Sequence, residues 1–165
     1  MYTDRPIKII LIDDDASMSE MLKDFFKTNY PASELIYFSS GERALQDIYL
    51  TPDMIVLDYH LDSSDPAAMN GMQVLKKLKT RFPDVPVIFL SGQEKAEVAA
   101  NTMKYGAYDY VVKNEHAFHR LSIITNNLLG HSDLRKNLGT QKFFNIFLGI
   151  LLIALVLGII IIRMT

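Results

Sequence analysis

At 165 residues the chain is long enough for one domain with its own hydrophobic core. It has no cysteine, which excludes disulfide staples and thiolate metal or redox sites. All 19 acids and all but one of the 17 bases lie in residues 1–142, a net charge of −3 there with no basic stripe, which argues against a nucleic-acid-binding surface. The stretch Met1 to Pro6 lacks a basic-then-apolar leader pattern, so the soluble part is expected on the cytoplasmic side.

Ile7 to Ile12 is a β-branched run that halts at Asp13-Asp14-Asp15, the pattern of a strand running into a crevice. Ser17 and Glu20 stand at capping-box spacing, and Asp15 is a capping acid in its own right. Met18, Met21, Leu22, Phe25 and Phe26 share one helical face up to Asn29 and Pro31. Leu35 to Phe38 reads as a second strand, and Ser39-Ser40-Gly41 breaks the chain before a helix through Tyr49. Met54 to Leu57 is an unbroken apolar run ending at Asp58, as expected of a strand buried on both faces of a parallel sheet.

Tyr59 to Asn70 is a polar loop ended by Gly71. Met72, Leu75 and Leu78 form a helix stripe that Phe82 and Pro83 close. Val87 to Leu90 is a fourth strand ending at Ser91-Gly92, and Glu94 to Tyr105 a helix stopped by Gly106. Tyr108 to Val112 is a fifth strand ending at Lys113. Ala117, Leu121, Ile124 and Leu128 mark the apolar face of a final helix.

Strands alternating with helices over short connections imply right-handed βαβ units and an α/β fold, with a parallel sheet covered on both faces. Open sheets of this kind place their ligand crevice at the carboxyl ends of the strands. Asp13, Asp14, Asp58, Ser91 and Lys113 all stand at such ends. Three carboxylates in one crevice repel one another unless a cation sits between them. With no histidine or cysteine cluster nearby, a hard oxygen-ligated ion is implied, Mg²⁺ the natural choice. A hydroxyl, a lysine ammonium and Mg²⁺ facing a carboxylate make a receptor for a phosphoryl group.

Ile-Asp13-Asp14-Asp, Val-Leu-Asp58, Phe-Leu-Ser91-Gly and Tyr-Asp-Tyr110-Val-Val-Lys113 together resemble the response-regulator receiver domain of two-component signalling, over about Ile7 to Leu128. The resemblance implies a doubly wound, five-stranded, flavodoxin-like sheet of order 2-1-3-4-5. It makes Asp58 the phospho-acceptor and Asp14 a direct Mg²⁺ ligand, with Asp13 acting through water and His60 through its backbone carbonyl. Ser91 and Lys113 then bind phosphoryl oxygens, and Ser91 and Tyr110 are the switch residues. The implied partners are a sensor histidine kinase or phosphotransfer protein and a downstream protein, contacted near the fourth helix and fifth strand.

The sequence departs from the family in two places. The loop from Asp58 to Gly71 is longer than usual and lacks the customary proline. Asn114 stands where the family has a cis proline after the lysine. A cis bond before asparagine costs about 3–4 kcal/mol, so a trans Lys113–Asn114 bond is expected.

Plainer readings stand beside these. Tyr110 reads equally as a packing aromatic, Ser91 less readily as a mere strand-end cap, and Asp62 and Asp65 as a solvated loop. His116, His119 and His131 lack ligand spacing and read as surface residues, and the His60 imidazole as an exposed side chain near the phosphate. A receiver-like membrane scaffold that takes no phosphate is the main alternative function. An aspartyl-phosphate phosphohydrolase would want an acid two residues after its nucleophile, where this chain has His60. An enzyme is therefore not expected, beyond slow loss of the chain's own phosphate.

After residues 1–129, the expected receiver, residues 130–142 read as a polar linker. Phe143 to Ile162 then runs 20 residues with no charge and one amide, Asn145. At 1.5 Å per residue that is roughly 30 Å, the thickness of a hydrocarbon core. Sixteen of them are Leu, Ile, Val or Phe, worth roughly −5 to −10 kcal/mol of insertion free energy. Arg135, Lys136 and Lys142 precede the run and only Arg163 follows it, so a transmembrane helix with the soluble domain facing the cytoplasm is expected. Ala154 and Gly158 form a small-xxx-small pair that can bring two such helices together as a dimer. The overall expectation is a single-domain response regulator anchored in the cytoplasmic membrane.

Overall fold

The computed structural model describes residues 6–61 and 68–130. Five strands and four helices alternate: β1 Ile7–Ile12, α1 Ala16–Asn29, β2 Ser33–Phe38, α2 Gly41–Asp47, β3 Met54–Asp58, α3 Gly71–Arg81, β4 Val87–Ser91, α4 Ala96–Lys104 and β5 Asp109–Val112. Residues 117–130 form a further helix. All neighbouring strands pair in parallel, in the order β2-β1-β3-β4-β5, with β1 joining the two halves.

Every residue of β3 and β4 is buried, as their unbroken apolar runs require of central strands covered on both faces. Side chains alternate across the sheet. Ile10, Ile12, Ile55, Leu57, Val87 and Phe89 therefore share one core cluster with Val74, Leu75 and Leu78 of α3 and Ala44 of α2. α1 buries Leu22 and Phe26.

Local chemistry shifts several boundaries from the expected ones. Asp15, rather than Ser17, caps α1, its carboxylate accepting the N–H groups of Ser17 and Met18. An acid directly before the helix reaches two free amides, whereas the Ser17 hydroxyl would start the helix two residues late. α2 stops at Asp47, before Tyr49, because the Arg81 guanidinium takes the carbonyls of Leu45 and Ile48 at 2.6 and 2.5 Å. Tyr49 and Leu50 are left exposed. α4 begins at Ala96 rather than Glu94, with no side-chain cap at its start.

All peptide bonds among the described residues are trans, including Lys113–Asn114. Asn114 opens the next turn instead: its side chain accepts the His116 N–H at 2.9 Å and its carbonyl accepts the Ala117 N–H at 3.0 Å. Among the described residues no helix is long and apolar enough to cross a membrane. The 143–162 run, nearly all of the 130–142 linker, the Ala154/Gly158 pair, His131, Asp62 and Asp65 lie outside the described residues.

Candidate functional site

Strand register brings four strand ends level. Ile12 lies beside Leu57, so the residues that follow, Asp13 and Asp58, are neighbours. Asp58 lies beside Leu90, with Ser91 one step on, and Ser91 lies beside Val112, with Lys113 one step further. The Ser91 carbonyl accepts the Lys113 N–H at 2.7 Å, which ties the last of these steps.

Asp13, Asp14 and Asp58 each bring a carboxylate oxygen to a point where all three lie within 4.8 Å of one another, Asp13 and Asp58 buried and Asp14 exposed. Lys113 Nζ stands between two of them, 3.0 Å from Asp13 Oδ2 and 3.1 Å from Asp58 Oδ1. Asp13 Oδ1 also accepts the Asp15 N–H at 2.9 Å. Both oxygens of Asp13 are thus engaged by the protein, while Asp14 faces solvent.

Burial, and then the charge of Asp58, raise the Asp13 carboxyl above its ordinary 3.8, although Lys113 pulls the other way. Burial works against the Lys113 ammonium, but Asp58 and Asp13 outweigh it and hold Lys113 above its ordinary 10.5. At an effective dielectric of about 20 the ammonium's two contacts are worth roughly 5 kcal/mol each, and unit charges within 4.8 Å repel by roughly 3 kcal/mol or more. Two attractions therefore about balance three repulsions, and desolvation is left uncompensated. A hard dication on an all-oxygen donor set closes that deficit, so these residues fit Mg²⁺.

The mouth of the site is organised by Gln93, which sequence reasoning passed over. Its N–H donates to Ser91 Oγ at 3.1 Å, and its carbonyl accepts the Tyr110 hydroxyl at 2.7 Å. Its side-chain amide meets His60 Nε2 at 3.0 Å. Ser91 is fully buried, and with its oxygen accepting from Gln93 its own proton remains to be given. In the sequence Gly71 marks only the end of a loop. A Cβ there would lie 2.4 Å from the Asp58 carbonyl and 2.8 Å from that of Tyr59, so the start of α3 presses on the backbone at the end of β3.

Asp13, Asp14, Asp58 and Lys113 are gathered in one notch, with Ser91 at the adjoining strand end. Tyr110 and His60 meet at Gln93 rather than at the carboxylates. His116 is exposed beside Glu115, and His119 is exposed. The signal for Gln93 lay in its position two residues past Ser91, as His60 is two past Asp58. Equal offsets from adjacent strand ends bring side chains to the same rim.

The chain belongs to the response regulator receiver domain family, which it matches over residues 9–124. It is 33% identical over 110 residues to a protein-glutamate methylesterase/protein-glutamine glutaminase of Bacillus licheniformis, 65% of this chain and 29% of that one. It is 29% identical over 129 residues to the regulatory protein LuxO of Vibrio cholerae, 77% of this chain and 26% of that one. The chain thus spans under a third of the length of these relatives. Among solved structures, the receiver domain of the Francisella response regulator 1452 superposes with a TM-score of 0.65 at 28% identity, covering 76% of this chain and 98% of that one. Receiver domains are phospho-acceptors that interact with histidine kinases or phosphotransfer proteins, and the acidic pocket of Asp13, Asp14 and Asp58 is typical of Mg²⁺ binding.

Proposed function

We propose that Asp58 accepts a phosphoryl group from the phosphohistidine of a partner kinase or phosphotransfer protein, and that the phosphorylated domain signals by altered protein–protein contacts near α4 and β5. The observation that carries this reading is the Lys113 ammonium 3.1 Å from Asp58 Oδ1, within a notch of three carboxylates. An Asp58 oxygen attacks phosphorus, the P–N bond to the donor imidazole breaks, and that nitrogen takes up a proton. Lys113 pairs with one phosphoryl oxygen and Ser91 gives its hydroxyl proton to another. Asp14 and Asp58, with Asp13 and the backbone carbonyl of His60 as further oxygens, would hold Mg²⁺, which would lower repulsion between two anions. Ser91 and Tyr110, linked through Gln93, then carry the change to α4 and β5. Hydrolysis of the acyl phosphate resets the state.

The 143–162 run anchors the receiver at the inner face of the cytoplasmic membrane. Supporting this are its length, its lack of charge, and the three bases before it against one after. Extraction of membranes with alkaline carbonate tests it: a chain released without detergent has no spanning anchor. The acceptor role is tested by incubating the full chain, in detergent micelles, with Mg²⁺ and acetyl phosphate. One phosphoryl mass is gained by the native protein and none by Asp58→Ala. Equal labelling of both removes Asp58 from its role, and no labelling or beryllofluoride binding by the native chain favours the scaffold.

A further inference from the structure

Adjacent residues of a strand point to opposite faces of the sheet. Yet Asp13 and Asp14 both bring a carboxylate oxygen within 4.8 Å of that of Asp58. The chain has therefore turned at the peptide that joins them, just past the end of β1 at Ile12. How that peptide is oriented decides where both carboxylates go.

Its carbonyl, the Asp13 oxygen, is held by two side-chain hydroxyls from different elements. The Tyr37 phenol of β2 donates to it at 2.7 Å, and Ser19 of α1 at 3.5 Å. Distance separates their weights: 2.7 Å is the commonest O–H···O length, whereas 3.5 Å is at the outer limit. The Asp13 N–H donates to the Phe38 carbonyl at 3.2 Å, so β2 grips the residue at both of its backbone groups. The Lys23 ammonium lies 4.5 Å from the centre of the Tyr37 ring, itself held by Glu20 at 2.6 Å. A cation over the ring withdraws electron density and makes the phenol a stronger donor.

We infer that Tyr37 is a positioning residue for the cation site: its hydroxyl fixes the Asp13–Asp14 peptide and thereby aims the two acids at one ion. This rests on the Mg²⁺ reading given above. Tyr37 acts through Asp13 and touches neither ion nor phosphoryl group. Removing an outer partner of this kind weakens metal binding while leaving the fold in place.

The test is calorimetric titration of Mg²⁺ into the full chain in detergent micelles, for native protein, Tyr37→Phe and Ser19→Ala, alongside thermal midpoints without metal. Tyr37→Phe is expected to weaken Mg²⁺ binding roughly tenfold. Ser19→Ala is expected to weaken it less, by about twofold. The Mg²⁺ concentration at half-maximal labelling by acetyl phosphate shifts by the same factor, while the rate at saturating Mg²⁺ holds. A purely structural tyrosine would lower the midpoint and leave Mg²⁺ affinity alone. Mg²⁺ affinity of Tyr37→Phe within about twofold of native overturns the role of Tyr37 and leaves the metal site standing. Absence of any Mg²⁺ binding by the native chain removes the metal reading and this inference together.

Discussion

Lys113→Met tests whether the notch is held by charge. The ammonium lies 3.0 Å from Asp13 and 3.1 Å from Asp58, and all three side chains are largely buried. Methionine keeps most of the stem's volume and removes only the cation. At an effective dielectric of about 20 each contact is worth roughly 5 kcal/mol of attraction. Much of that offsets desolvation, and breaking a buried pair by deleting one partner costs about 3–5 kcal/mol. For a domain of this size 1 kcal/mol moves the midpoint by about 3 °C, so a fall of roughly 10 °C is expected in EDTA. The variant pocket is also one unit more negative, so Mg²⁺ binds it more tightly and the rise in midpoint on adding Mg²⁺ exceeds that of the native protein. Thermal denaturation of the full chain in micelles, followed by circular dichroism with EDTA and then with Mg²⁺, reads both quantities. A fall below about 3 °C, or a smaller Mg²⁺ response in the variant, would refute the electrostatic account.

Gly71→Ala places a Cβ 2.4 Å from the Asp58 carbonyl, a backbone atom that cannot swing aside. It is expected to cost about 1–3 kcal/mol and to lower labelling at Asp58; native labelling with a native midpoint would contradict the contact. In the metal-free protein, Asp13 is held above 3.8 by burial and by Asp58. The folded state then keeps a proton that the unfolded chain has released, so this group's cost is full above the folded value and relieved as pH falls through it. Midpoints measured in EDTA from acid to neutral pH should show Asp13→Asn gaining on the native protein as pH rises above 3.8. A flat or opposite trend would count against the raised value.

A parallel sheet was legible because Ile7–Ile12, Met54–Leu57 and Val87–Leu90 are largely apolar runs punctuated by acid or hydroxyl and alternating with helices; its strand order was legible only through the resemblance to receiver domains. The five residues at the strand ends follow from that reading. What escaped it depends on register and turn geometry. Tyr37 reaches Asp13 because it pairs with Leu11, two residues before the acid, and no spacing in the sequence announces that pairing. Gln93 gathers Ser91, Tyr110 and His60 chiefly through its backbone groups, which carry no residue-type signal. The early end of α2 is set by Arg81, 33 residues beyond Ile48. Helix periodicity sees one turn at a time and cannot detect a guanidinium arriving from another element.

That guanidinium has a consequence of its own. α2 is seven residues long, too short to persist alone in water. It survives by attachment, with Gly41 seated against Val74 at its start and Arg81 clasping its last carbonyls. Such a segment is expected to open without the sheet opening with it, and its amides to trade deuterium sooner than those of β3. The domain thus carries a built-in soft corner, whose far end is fastened by one guanidinium.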